Sequence, residues 1–190
     1  MLELIAAIAM AALWISWLAY WWYSARNARQ ARWREPFAQQ LRHRAPVMLA
    51  ALLLAAPRLA PEPLRRRILP AGALFPVLGT LLVAVGLGFT VWARRHLGTN
   101  WSSQVQVKQG HALVRTGPYR WIRHPIYTGL LTAFLGVALS IGEWRALFAL
   151  LLVVVSLAIK SRAEEARMRA TFPEYERYLR ESWAIIPGVY

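Results

Sequence analysis

The chain of 190 residues contains no cysteine and no aspartate. Without cysteine it can form no disulfide, no thiolate nucleophile and no thiolate-held metal centre. Acid chemistry must therefore come from its nine glutamates. The four histidines are scattered without ligand spacing, and no phosphate-binding loop, glycine-rich dinucleotide motif or HExxH pair occurs, so the sequence predicts no metal site.

Long apolar runs are what the chain has instead. It is 57% hydrophobic with a mean hydropathy of +0.33. Residues 1–23 contain one charge, residues 68–93 contain none, and residues 125–159 contain two charges close to their middle. A membrane-spanning helix needs about 20 predominantly apolar residues. These runs predict four spans, the last two joined by a tight turn at "SIGEWR".

A fifth span is predicted over residues 45–56, although this run is short and a re-entrant segment is the alternative. The first run is interpreted as a retained span and not as a signal peptide, because its basic residues follow it and its apolar run is long. Residues 26–44 predict an amphipathic surface helix interrupted by Pro36. The fold class is therefore all-α, a polytopic integral membrane bundle of about five transmembrane helices.

The net charge is +14, and the positions of the basic residues indicate membrane topology and not nucleic-acid binding. Six basic residues fall in each of the segments 26–44, 94–123 and 160–180, which are alternate loops of a five-span chain. The positive-inside rule then places the N-terminus outside and the C-terminus in the cytoplasm of a bacterial-type inner membrane. These loops should lie against membrane lipids with anionic headgroups. The run "RRR" at 65–67 does not fit this topology, because it would face outward.

Polar residues cluster where the chain enters the fourth span, in "GPYRWIRHPIYTG". His124 precedes Pro125, which disfavours helix at His124 and suits the first helical position at Pro125. The positive helix start favours an anionic group nearby. A second polar cluster follows the last span, where Lys160 and Glu164 are four residues apart and share a helix face. From these residues alone, an interfacial histidine and a solvated, salt-bridged helix face are the competing interpretations.

The two clusters together resemble the isoprenylcysteine carboxyl methyltransferase family and its phospholipid-methyltransferase relatives. The similarity lies in "GHALVRTGPYRWIRHPIYTG", the helical hairpin after it, "EE" at 164–165 and "FPEYERYLRE" at 172–181. It covers about residues 92–187. We therefore expect one membrane domain over 1–190, with N-terminal spans and basic loops in 1–91 and a methyltransferase core in 92–190.

Members of that family are integral membrane enzymes that use S-adenosylmethionine. The resemblance implies a cofactor pocket on the cytoplasmic side, lined by Gln104, His111, Ala112, Leu113, Val114, Tyr119, His124, Pro125, Ile126, Tyr127, Glu164 and Glu165. It also implies a basic residue shortly before the acidic pair that contacts the substrate. Lys160 and Arg162 both fit that position.

The expected function is transfer of a methyl group from S-adenosylmethionine to a lipid-like substrate, most simply the carboxylate of an isoprenylcysteine-type acceptor. N-methylation of a phospholipid amine is the alternative enzyme activity. A non-enzymatic basic membrane scaffold or transporter subunit is the alternative of another class. No charge lies near the middle of a confident span, as an ion pathway would need, which disfavours the transporter. The expected partners are lipid-like or prenylated substrates and membrane lipids.

Overall fold

The computed structural model describes residues 1–26, 36–98 and 113–189, and its long elements are all helices. The α-helices of these ranges are α1 (Leu2–Ala25), α2 (Phe37–Ala55), α3 (Leu74–Leu97), α4 (Pro125–Ile141), α5 (Trp144–Thr171) and α6 (Tyr175–Glu181). Short 3-10 helices cover Pro57–Leu59, Glu62–Arg65 and Gly117–Arg120. The prediction of an all-α membrane protein is confirmed, and the described ranges contain only isolated β-bridges.

Three of these helices, α1, α3 and α5, are long and apolar enough to cross a membrane. Helix α4 is apolar but has 17 residues. Helix α2 is not among these candidate spans, and its first half is polar, with the sequence FAQQLRHR. The predicted count of five spans is therefore not confirmed by the described residues.

The predicted boundary of the second apolar run is wrong. Helix α2 begins at Phe37, directly after Pro36, and continues through Pro46 to Ala55. The basic segment and the apolar run thus form one helix over this range. Pro46 breaks one backbone hydrogen bond of the helix without ending it.

Helix α2 lies antiparallel to α5. The hydroxyl of Ser156 donates to the carbonyl of His43 near the start of α2, and Nη1 of Arg145 donates to the carbonyl of Leu53 (3.0 Å) near its end. Arg145 is buried, and its Nε also donates to Oε2 of Glu143 at 2.6 Å. Its charge is thus satisfied by a carboxylate and by the C-terminal carbonyls of α2, whose helix dipole favours a cation there.

The third apolar run becomes helical six residues later than predicted. Residues 68–73 instead form a loop that packs on the turn between α4 and α5, where the backbone N–H of Ile68 donates to the carbonyl of Gly142 at 2.8 Å. Gly72 has a φ of 132°, which side-chain-bearing residues rarely adopt and which a helix cannot contain. The predicted turn at "SIGEWR", within the run 125–159, is confirmed, since α4 ends at Ile141 and α5 begins at Trp144.

Helices α1 and α3 run parallel, since Thr80 bonds to the carbonyl of Ala6 at 3.2 Å and Nε1 of Trp17 donates to the hydroxyl of Thr90 at 2.6 Å. The bundle therefore has two ends. The site end contains the ends of α1 and α3 and the start of α4. The far end contains the starts of α1, α3 and α5 and the ends of α2 and α4.

Glycines bring α3 and α4 into backbone contact. Gly86 of α3 faces Gly129 of α4, and two helical turns away Gly79 faces Gly136. A Cβ atom added to Gly86 would lie 2.5 Å from the carbonyl oxygen of Gly129 and 2.6 Å from the backbone nitrogen of Ala133. Backbone atoms cannot rotate away as side chains can, so this close approach requires glycine. Small residues at such contacts are how membrane helices associate tightly.

We predict that Gly86→Ala destabilises the protein by about 1–3 kcal/mol, because the added methyl group overpacks a backbone contact. Gly88→Ala on the same helix is the matched control, since a Cβ atom there meets nothing within 4 Å. Alanine has the higher helix propensity, so the control should be neutral or slightly stabilising. Thermal unfolding in detergent measures both variants. Equal unfolding temperatures would contradict the α3–α4 contact.

Candidate active site

Helix α4 begins at Pro125, as predicted, and His124 is its N-cap residue. The chain reaches this point through the 3-10 helix Gly117–Arg120. Gly117 has a φ of 57°, and a Cβ atom there would lie 2.6 Å from the His96 ring. Glycine at this position therefore lets the 3-10 helix approach the end of α3.

Two adjacent glutamates of α5 face the start of α4. Nδ1 of His124 lies 3.4 Å from Oε2 of Glu164, and Nε2 of His124 lies 3.3 Å from Oε1 of Glu165. The second contact is close but is not aligned as a hydrogen bond. The His124 side chain is 9% exposed and those of the two glutamates 20% and 9%. The imidazole is thus enclosed between two carboxylates.

Tyr127 completes the contact between α4 and α5. Its hydroxyl donates to Oε1 of Glu164 at 2.6 Å, and its ring stacks on that of His124 with centroids 5.2 Å apart and planes 3° apart. Nζ of Lys160, one turn before Glu164, lies 5.6 Å from the centroid of the Tyr127 ring, within the range of a cation–π contact. Arg162 is exposed on another face of α5.

Arg123 joins this cluster to the C-terminal part of the chain. Its side chain is 8% exposed, and its Nε donates to Oε1 of Glu165 at 2.7 Å. Its Nη1 donates to the carbonyl of Leu179 at 3.2 Å and also to the carbonyl of Ser182. One buried guanidinium therefore holds the acidic pair and the end of α6 together.

The tail segment, residues 182–185, pairs with the backbone before α4. The N–H groups of Arg123 and His124 donate to the carbonyls of Trp183 (2.8 Å) and Ala184 (2.9 Å). The hydroxyl of Thr128 in the first turn of α4 donates to the carbonyl of Ile185 at 2.5 Å. The backbone donor of His124 is thus satisfied within the chain. Any further anion at this helix start must use other donors.

The described candidate residues lie around one buried core. Tyr119, Ile126 and Tyr127 belong to the same hydrophobic cluster, and Val114 packs against it. Leu113 is half-buried and Pro125 is fully buried. The remaining cofactor candidates, Gln104, His111 and Ala112, lie outside the described residues. Tyr119, His124, Tyr127 and Glu164 are therefore brought to the same end of the bundle from distant parts of the sequence.

The buried hydroxyl of Tyr119 has no hydrogen-bond partner within the described ranges. Burial is the main cause that raises its pKa, so the hydroxyl keeps its proton and can act as a donor. Burial by itself would lower the pKa of His124, but the close contacts with Glu164 and Glu165 and their negative charges outweigh it and raise that pKa above its usual value. The imidazole is thereby favoured as imidazolium.

Comparison with known proteins relates this geometry to a family. A phospholipid methyltransferase family model matches residues 74–175, more than half of the chain. The chain belongs to the phospholipid methyltransferase family. This family is one of membrane methyltransferases, and the matched region includes the whole cluster from Arg123 to Glu165.

Two relatives are similar over part of their length. The uncharacterized protein YpbQ of Bacillus subtilis (strain 168) is 31% identical over 80 residues, which cover 41% of this chain and 47% of YpbQ. A solved structure of the eukaryotic intramembrane Ras methyltransferase ICMT, isoprenylcysteine carboxyl methyltransferase, matches with a TM-score of 0.51 and 19% identity, covering 80% of this chain and 52% of that one. The match shows a shared membrane fold. The matched region thus spans about half the length of each relative.

Two buried cations of this phospholipid methyltransferase family member were missed by sequence reasoning. Arg123 was not predicted as a site residue, although a buried glutamate requires a cation and Arg123 directly precedes His124. Buried Arg94 of α3 donates at 2.8 Å to the carbonyls of Ser24 and Gly98, and so joins the ends of α1 and α3. No sequence signal separates Arg94 from its exposed neighbour Arg95.

An open cleft of about 730 Å³ lies beside the cluster, and its described lining residues are Arg115, Thr116, Gly117, Arg120, Trp121 and Glu181. Arg115 pairs with Glu181 across it. None of the cofactor candidates in the described ranges line it. The cleft therefore borders the outer side of the Gly117–Arg120 turn, whereas Tyr119 of the same turn points into the core.

The raised pKa of His124 predicts a pH dependence of stability. A raised folded-state pKa means that protonation stabilises the fold fully below the unfolded value of about 6.5. This contribution is lost as pH rises through the higher folded-state pKa. We expect the difference in unfolding temperature between the wild type and His124→Gln to shrink as pH rises above about 6.5. A constant difference across that range, measured by thermal unfolding in detergent, would show that the imidazole does not titrate with folding.

Arg123 should be more important for stability than an exposed arginine. Arg123→Gln leaves the buried carboxylate of Glu165 without its guanidinium, which typically costs about 3–5 kcal/mol. Arg162→Gln is the matched control, because it removes the same charge from an exposed position. Chemical denaturation should distinguish the two variants, and limited proteolysis should reveal earlier cleavage after residue 171 in Arg123→Gln only. Equal stabilities would contradict the proposed attachment of the tail segment.

Proposed function

We propose that the protein is an S-adenosylmethionine-dependent methyltransferase that methylates a lipid-like carboxylate of the isoprenylcysteine type. The observation that carries the proposal is the joint placement of His124 and Tyr127 on α4 against Glu164 on α5, at one end of a membrane bundle. This end lies where a helix start, an acidic pair and stacked aromatic rings meet. The acidic pair and the aromatic rings are chemical complements of parts of the cofactor.

The residues present fit the cofactor. S-adenosylmethionine, when bound, supplies an electrophilic methyl group on a sulfonium. The acidic pair suits its ammonium or ribose hydroxyls, and an aromatic ring at this end can face the adenine or the sulfonium. The unpartnered hydroxyl of Tyr119 is a buried donor that a polar ligand would satisfy, and leaving such a group unpaired costs about 1–3 kcal/mol. Gln104 and His111 stay predictions for the same pocket.

Lys160 is our candidate for binding the acceptor. It lies one helical turn before Glu164, toward the apolar part of α5, and its ammonium faces the Tyr127 ring. A cation there can hold the carboxylate of an acceptor whose lipid chain stays in the bilayer. A carboxylate is already ionised and needs no general base, so this chain has mainly to align the reactants. Alignment alone can supply much of a rate enhancement.

Phospholipid amine methylation is the second candidate, and the family model favours it. An amine acceptor must lose a proton before or during methyl transfer. Glu164 and Glu165 are the carboxylates that could receive it, but both already contact His124, and Glu165 also contacts Arg123. Pairing with cations makes a carboxylate a poor proton acceptor, although its remaining lone pairs can still accept hydrogen bonds from a bound cofactor. We therefore favour the carboxylate acceptor.

We further propose that the site end faces the cytoplasm of a bacterial-type inner membrane and that the N-terminus lies outside. The distribution of basic residues supports this orientation. S-adenosylmethionine is then reached from the cytosol, while the acceptor enters from the bilayer.

The proposal is tested by incubating the purified protein in nanodiscs with methyl-labelled S-adenosylmethionine and either a prenylated cysteine or phosphatidylethanolamine. Base treatment releases methanol from a methyl ester but not from a methylamine. We expect base-labile label on the prenylated cysteine. Lys160→Gln should reduce it by about 10–100-fold, the usual value of a hydrogen bond to a charged group, whereas Arg162→Gln on the same helix should stay within about twofold.

Base-stable label on phosphatidylethanolamine would instead support the amine activity. Absence of label on both acceptors, with the protein folded, would contradict the methyltransferase proposal. Equal losses in the two variants would contradict the role of Lys160 alone.

A further inference from the structure

The loop between α2 and α3, residues 56–73, is held firmly at the far end of the bundle. The N–H of Ile68 donates to the carbonyl of Gly142, and the N–H of Trp144 donates to the carbonyl of Arg66 at 3.2 Å. The loop is thereby fastened to the turn between α4 and α5. Helix α3, which starts directly after it, has 24 residues and is about 36 Å long, more than the roughly 30 Å hydrocarbon core. The loop therefore lies at headgroup depth.

Five arginines lie at this end, but only three of them have partners. Arg66 pairs with Glu62 at 3.3 Å, and Arg145 pairs with Glu143. Arg67 donates from its Nε to the carbonyl of Leu69 at 3.2 Å. The two others, Arg58 and Arg65, are exposed and have no carboxylate or carbonyl partner among the described residues.

These two unpaired arginines have apolar neighbours that are also exposed. Leu59, next to Arg58 in the same 3-10 helix, is 71% exposed, and Ile68 is 40% exposed. Leucine and isoleucine at a membrane surface reach the acyl chains, and arginine next to them reaches the phosphates. The far end also carries more cations than anions, with five arginines against Glu3, Glu62 and Glu143. This excess lies on the side that the positive-inside rule would leave poor in arginine.

We propose that Arg58 and Arg65 form a binding surface for the phosphate groups of anionic phospholipids in the leaflet at the far end. Each guanidinium can donate two parallel hydrogen bonds to a phosphate, which a lysine cannot do. The loop that carries both is fastened to the turn between α4 and α5 by backbone hydrogen bonds. The unpaired arginines are thus accounted for by a lipid partner, independently of the methyltransferase reaction at the opposite end.

The test uses the full chain in nanodiscs of phosphatidylcholine, with or without phosphatidylglycerol, and measures amide hydrogen exchange. We expect phosphatidylglycerol to slow exchange in residues 56–69, and Arg58→Gln/Arg65→Gln to abolish this effect. Arg95→Gln/Arg180→Gln is the matched control, since it removes the same charge from exposed positions on other elements of the bundle. The control should keep the protection of the loop.

Affinity provides the second measurement, by native mass spectrometry of the detergent-purified protein titrated with phosphatidylglycerol. One arginine near an anionic surface strengthens binding by a factor of about five, so the double substitution should weaken binding on the order of 30-fold. Wild-type affinities that are equal for phosphatidylglycerol and phosphatidylcholine would overturn the proposal. Equal loop protection by inorganic phosphate would also overturn it, because it would indicate a free-anion site. If phosphatidylglycerol slowed exchange in Arg58→Gln/Arg65→Gln as much as in the wild type, the two arginines would not be the binding residues.

Discussion

The contact of His124 with two neighbouring carboxylates is the interaction on which the rest of the site depends. Glu164 and Glu165 would repel each other and lose hydration if they were left alone in this buried place. The imidazole between them and the guanidinium of Arg123 offset both costs. Because His124 begins α4 and the glutamates lie near the end of α5, the same contact fixes the angle of the helical hairpin. The same charged residues therefore form the candidate site and hold the two helices together.

Sequence alone could predict the hairpin and the start of α4, because both follow from local rules. Pro125 suits the first position of a helix, and Gly142 ends α4 in a left-handed conformation. The start of α3 was predicted too early. A hydropathy profile includes the apolar Ile68 and Leu69 in the span, but it does not take account of the backbone conformation at Pro70 and Gly72. The extent of α2 was also mispredicted. A proline inside a helix is tolerated here by packing on α5, and packing partners are not visible in a single sequence.

Some residues of the candidate site could likewise be predicted from the sequence, and others could not. The side chains of His124, Tyr127 and Glu164 were predicted from a motif and lie in contact. Arg123 was missed, because its importance arises from Glu165 and from the tail carbonyls, all more than 40 residues away in the chain. The sequence also left Lys160 and Arg162 equivalent. The structure separates them by geometry, since only Lys160 contacts the Tyr127 ring.

The glycine contacts between α3 and α4 have a mechanical consequence. Where backbones touch, there are no side-chain rotamers to absorb a displacement, so neither helix can slide or rotate past the other without steric overlap. The two helices therefore form one rigid unit, with His124 at the start of α4. Helix α5 has its own contacts through side chains, which can repack. His124 is thus positioned through backbone contact, whereas the carboxylates of α5 are held against it through the side chains of Arg123, His124 and Tyr127.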